Sequence, residues 1–111
     1  MKLLLALLIA TAALAQTPPT HSATLTWQDT ANPAGTTYSV YRATGLCSGT
    51  PTFAKIASAV ATKTFVDSTV LPGNYCFSVT ATNNGMESAQ SNTAPAAVPS
   101  FAPQALSVQV Q

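Results

Sequence analysis

The chain has 111 residues, of which 47% are hydrophobic and only 6% charged, with a formal net charge of +1. That length suits one domain behind a leader. Four basic and three acidic residues make no basic stripe, which argues against nucleic acid or anionic lipid as a partner.

Met1-Lys2 precedes an unbroken apolar run, Leu3 to Ala10, and Ala13-Leu14-Ala15 has the small-x-small form that a signal peptidase accepts. The run is shorter than the about 20 apolar residues a membrane span needs. The expectation is a signal peptide, residues 1–15, cut between Ala15 and Gln16. The mature chain then has no membrane span, with an uncleaved anchor as the alternative. No cysteine follows the run, so a lipid-modified N-terminus is not expected. Loss of Lys2 brings the mature charge close to zero, and a charge-poor surface does little to prevent self-association.

Gln16 to Ser22 contains Pro18-Pro19 and reads as an extended lead-in. Ala23 to Trp27 then alternates, with Leu25 and Trp27 on one face and threonines on the other, as a half-buried strand requires. Asp29, Asn32-Pro33 and Gly35 mark a loop. Thr36 to Arg42 is the next strand, with Tyr38 and Val40 inward and Ser39 and Tyr41 outward. A loop from Ala43 to Pro51 carries Cys47. Two short strands follow: Thr52 to Ser58, with Ile56 as its core contact, and Thr62 to Thr69, with Phe65 inward and Asp67 near its end.

The strongest pattern runs from Leu71 to Gly85. A Pro-Gly turn releases a strand with Tyr75, Phe77, Val79 and Ala81 on one face and Cys76, Ser78, Thr80 and Thr82 on the other. Asn83-Asn84-Gly85 stops it. Met86 to Ala96 is expected to return as a partner strand, confined to an edge because Pro95 has no N–H for a ladder. Val98 to Pro103 is a linker, and Gln104 to Gln111 closes the sequence with Leu106, Val108 and Val110 alternating. Six or seven short strands with turns every about 8–12 residues and no helical period predict an all-β sandwich or barrel.

Catalytic chemistry is not expected. The acids Asp29, Asp67 and Glu87 fall on different segments, and the only imidazole, His21, falls in the lead-in. A nucleophile needs a base held beside it, and general acid–base work needs paired groups. No Cys-x-x-Cys, phosphate loop or carboxylate cluster points to a metal or cofactor. Asp29 and Asp67 are expected to bond turn backbone. Tyr41, Arg42, Lys55 and Lys63 could line one sheet face, although an exposed tyrosine beside basic residues is ordinary surface. An N-x-[ST] sequon and the Arg-Gly-Asp tripeptide are both absent.

His21 to Trp27, Tyr38 to Arg42, Thr64 to Ser68 and Tyr75 to Ser91 together resemble a fibronectin type III domain of the kind found in bacterial secreted proteins. The resemblance covers about His21 to Pro99 and implies an immunoglobulin-like β-sandwich of fibronectin type III topology. The domains are then the signal peptide 1–15, the sandwich 16–99 and a linker with a strand-like tail, 100–111.

By that resemblance Trp27 would be the core tryptophan of strand B, and Tyr38 and Val40 would lie on strand C. Tyr75 would be the corner tyrosine opening strand F, bonded to the backbone just upstream. Trp27, Tyr38, Val40, Phe65, Tyr75, Phe77 and Val79 form the expected core. The sequence departs from the family in three places. One residue separates Gly73 from Tyr75 where two are usual, the lead-in is too short for a full strand A, and Cys47 and Cys76 have no family counterpart. The implied sandwich sets the end of strand C beside the start of strand F, which would bring Cys47 to Cys76 as one disulfide. Free thiols or an intermolecular bridge are the alternatives.

The function implied is that of a small secreted module, non-catalytic and without cofactor, for protein or polysaccharide binding, adhesion or spacing. Its partner would be an extracellular protein or glycan, met through the loops Gln28–Gly35 and Asn83–Ser88 or an open sheet edge. A structural assembly subunit pairing through its C-terminal strand is the alternative, as is a piece of a longer exported protein. In this fold the termini lie at opposite poles. The tail from Ala102 to Val110, similar to an opening strand A, would then reach forward into a neighbour and give weak head-to-tail self-association.

Overall fold

The computed structural model describes residues 20–102. The expected signal peptide, its cleavage between Ala15 and Gln16, and the strand-like segment Gln104 to Gln111 lie outside the described residues. Among the described residues the fold is all-β and no helix occurs. Seven strands are formed: β1 (His21–Thr26), β2 (Thr37–Thr44), β3 (Ala54–Val60), β4 (Thr64–Val70), β5 (Gly73–Asn83), β6 (Met86–Glu87) and β7 (Ala94–Val98). They make two antiparallel sheets. β1 pairs with β4, and β3-β2-β5-β6 forms the larger sheet, with β7 also on β5.

β5 is the axis of the larger sheet. Its period-2 pattern sets Phe77 and Val79 toward β1 and β4, where Phe77 (2% exposed), Val40 and Val70 make the buried cluster. Leu25, Trp27, Ile56, Phe65, Tyr75 and Val98 pack around them as partly buried neighbours. Its turn chemistry is equally direct: Asn84 (φ 52°) and Gly85 (φ 75°) both adopt positive φ, the requirement of a two-residue hairpin turn into β6.

The opposite face of β5 is less open than its hydroxyl-rich composition implies. Cys76, Ser78 and Thr80 are buried: Cys76 is bonded to Cys47, Ser78 donates to Gln90 and Thr80 donates to Glu87.

The strand expected over Met86 to Ala96 is broken in two. Between β6 and β7 the Ser88 and Ser91 hydroxyls accept from the Ala81 and Val79 amides at 3.0 and 3.1 Å, in place of backbone carbonyls. Serine competes with the ladder in this way wherever its short side chain can reach the backbone. β7 keeps Pro95 opposite Cys76 and has no second neighbour among the described strands, as a proline-bearing edge requires. β3 outlasts its expected end at Ser58. An extra residue against β2, with Ala59 at φ 55°, forms a bulge that returns Val60 to the core side.

Two expectations are corrected at the chain's start. His21 is the first residue of β1, and its ring stacks on Phe101 with centroids 4.1 Å apart. Both ends of the described chain therefore meet at one pole, where opposite poles were expected. The physical reason is that β1 begins where β7 ends.

Candidate functional site

Among the described residues β1 is hydrogen-bonded along one edge only, to β4. A strand with an unpaired edge presents a row of free N–H and C=O groups, a template for another extended segment. Beside that edge the two sheets part, leaving an open cleft of about 610 Å³. One wall is β1 and its continuation to Asp29, the other is the run from Ser88 to Ala96, and Phe77, Val79 and Tyr38 form the floor. A shallower extension between Ser22 and Val98 carries it on toward His21 and Pro99.

Trp27, expected in the core, and Leu25 on the same face are only half buried because this cleft runs past them. Trp27 contacts Tyr38 edge to face at 5.4 Å between centroids. Its Nε1–H is buried without an acceptor, and His21 Nε2 at the other end of β1 is also buried without a partner. Among the described residues these are the buried side-chain polar atoms left unsatisfied. Buried polar groups are nearly always paired, so two orphans at the two ends of a strand with one free edge mark an unfinished edge.

The rim beyond Trp27 is rigid. Asp29 accepts from the Ala31 and Asn32 amides at 3.1 Å each, from Asn32 Nδ2 at 2.7 Å and from the Tyr38 hydroxyl at 2.9 Å. The Asn32 bonds, with those from Tyr38 and Ala31, hold its carboxyl at about 2, below the usual carboxylate range. Tyr38 is pushed up by burial and by the adjacent Asp29 charge. Lys63 donates to the Asp29 carbonyl at 2.8 Å. The turn role expected of Asp29 is in place.

Tyr41, Arg42, Lys55 and Lys63 do not share a face. Arg42 turns between the sheets and donates to Asp67 Oδ2 at 2.7 Å, with its guanidinium 5.4 Å from the centre of the Tyr75 ring. Asp67 is 4% exposed. Burial pushes its carboxyl up, but bonds from the Thr69 hydroxyl and amide together with Arg42 hold it below its ordinary value. Asp67, expected to bond turn backbone, bonds Thr69 within β4, and nothing in the sequence signals the ion pair, because its partners lie on different sheets.

Tyr41 and Lys55 stay on the outer face of the larger sheet. There Glu87 accepts from the Tyr41 hydroxyl and from Thr80 at 2.6 Å, with Lys55 3.7 Å away. The Thr80 and Tyr41 bonds lower the Glu87 carboxyl. The patch is closed on itself and offers a ligand no free polar group beyond ordinary surface.

Cys47 and Cys76 come together with sulfurs at bonding distance, 2.09 Å, and Cα atoms 5.1 Å apart. Tyr75 accepts a hydrogen bond from the Leu71 amide at 3.1 Å. Among the described residues no group of three or more His, Cys, Asp and Glu is placed to hold a metal ion, and no helix is long and apolar enough to cross a membrane. No protein-family model and no curated protein matches the chain. The cleft was not legible beforehand, because it depends on which described strands border β1 in space. The short lead-in before Leu25 was the one hint.

Proposed function

We propose that this chain is a small secreted, non-catalytic module of the fibronectin type III kind, serving protein or polysaccharide contact, adhesion or spacing once a signal peptide is removed. In that reading β1, β2, β3, β4, β5 and β7 stand for the family strands B, C, C′, E, F and G, with no counterpart of strand A among the described residues. The bond from the Leu71 amide to Tyr75 supports a corner tyrosine, and the cysteine pair suits an oxidising compartment. A fold of this kind hosts many functions, so the site must carry the argument.

The observation that carries it is the unpaired edge of β1 opening into the cleft. Such an edge recognises an extended backbone by strand addition, with apolar pockets selecting alternate side chains. The test is an NMR titration of the exported chain with extended apolar peptides and with oligosaccharides. Peptide-induced shifts confined to Ala23–Asp29 and Ser88–Ala96 are expected. Saturable shifts elsewhere would overturn the assignment of the cleft as the contact site.

The second reading, an assembly subunit pairing through its C-terminal strand, draws on the same free edge. Its expected sign is a mass that rises with concentration in light scattering.

A further inference from the structure

We infer that the cleft beside β1 is a strand-accepting slot whose resident occupant is the chain's own C-terminal segment, residues 103–111. The inference rests on reading the cleft as a strand acceptor and goes on to name what fills it.

Position comes first. The described chain ends at Ala102, and Phe101 is stacked on His21, so the segment departs from the mouth of the slot. Its nearer part lies between Ser22 and Val98, and the deeper part runs on past Leu25 to Asp29. Reach is sufficient: from Gln104 onward a strand rising about 3.3 Å per residue spans the length of β1 and the residues just beyond it. Pro99 and Pro103 bracket the reversal of direction, which fits residues that pre-set a turn and cannot donate to a ladder.

Pattern agrees with position. Leu106, Val108 and Val110 alternate with Ser107, Gln109 and Gln111, which suits a strand laid with one side on the half-buried Leu25 and Trp27 and the other in water. It would run parallel to β1 and antiparallel to β7, and its backbone would supply partners for the free edge and acceptors near the two orphan nitrogens. The lead-in cannot take this place, because Pro18 and Pro19 lack the N–H groups a ladder needs. A second copy could offer the same segment. Tethering through a short connection, however, gives the chain's own tail an effective concentration on the order of millimolar, which dilute neighbours do not match. An external strand therefore binds only by displacing the tail.

The test is hydrogen exchange and methyl NOE spectroscopy on the exported chain with its full C-terminus, beside the full-length Val108→Asp variant. Expected in the parent are amides at alternate positions of 104–110 exchanging at least about tenfold slower than free peptide. Methyl contacts from Leu106 or Val108 to Leu25 and Ala96 should accompany them, unchanged over roughly hundredfold dilution. Val108→Asp should abolish both while the β2–β5 amides stay protected. Tail amides exchanging at the free rate would overturn the inference, as would protection that disappears on dilution, which assigns the slot to a second copy. Adding an extended apolar peptide to Val108→Asp separates the two readings. Shifts along β1 without any tail protection in the parent would leave the slot standing and remove its proposed occupant. The absence of both would remove the slot as well.

Discussion

β5 and β1 are written in the same alternation of apolar and hydroxyl-bearing residues, yet their surroundings differ. β5 has β2 on one side and β6 and β7 on the other, a disulfide at its start and a carboxylate network over its outer face. β1 has β4 alone, and its apolar side chains are half covered. The contrast teaches that a strand's pattern specifies which face is buried, while its neighbours decide how completely.

The sharpest way to break the comparison is truncation on each side. Phe77→Ala removes a ring that is 2% exposed and should cost about 3–5 kcal/mol in a denaturant titration. Leu25→Ala, beside the cleft, should cost about 1–2 kcal/mol in the Val108→Asp background, where the slot is open, and more in the parent chain with its tail seated. Equal losses from Leu25→Ala in the two backgrounds would mean that the tail does not fill the slot. Trp27 belongs with Leu25 here, because its half-open position makes it a weaker anchor than a fully enclosed tryptophan.

Next in size is the covalent link. Replacing both Cys47 and Cys76 by Ala opens a loop of sequence separation 29 and should cost about 3–4 kcal/mol through the unfolded chain. The loss should appear as a lower denaturant midpoint, matched by adding reductant to the parent. It should leave the peptide response of β1 unaltered, because the link lies in the larger sheet.

The third test crosses between the sheets. Asp67→Asn breaks the pair with Arg42, and since Arg42 is 27% exposed the cost should be about 1–3 kcal/mol, below that of a fully enclosed pair. Asp67 has a folded value below its ordinary 3.8, so its stabilisation is complete above that value and is lost as the pH falls through it. Asp29, at about 2, and the lowered Glu87 act in the same direction. Thermal midpoints should therefore be level above about pH 5 and decline below it. The Asn variant should start lower and decline less.

How much of this was legible follows from what each feature depends on. The strands around Tyr38, Val40, Phe65 and Phe77 and the Asn84-Gly85 turn depend on neighbours in sequence, so they could be read directly. The Cys47–Cys76 pairing needed the family resemblance, because proximity of two loops is a property of topology. The Arg42–Asp67 pair, the bulge at Ala59 and the Ser88 and Ser91 substitutions for ladder bonds depend on a second strand's register, which alternation within one strand does not encode. The cleft depends on what borders β1 in space, which alternation along β1 does not encode either.

The smallest effect is expected at Tyr75, where the two sheets are joined through the connection from β4 to β5. Its hydroxyl accepts from the Leu71 amide, four residues back, and so fixes the path by which the chain leaves one sheet for the other. Tyr75→Phe keeps the ring, its packing on the core and its position under Arg42, and removes only that acceptor. Leu71 is exposed, so its freed N–H can turn to water and avoid the penalty of a buried orphan. The cost should therefore be about 1 kcal/mol, smaller than for an enclosed hydrogen bond, with hydrogen exchange quickened at Leu71 and unchanged along β2. An unaltered midpoint and unaltered exchange at Leu71 would mean that the Pro72-Gly73 turn alone holds the crossover. Exchange that quickens along β1 as well would mean that this one bond at the pole also steadies the incomplete sheet, and the difference between the two sheets would then rest partly on Tyr75.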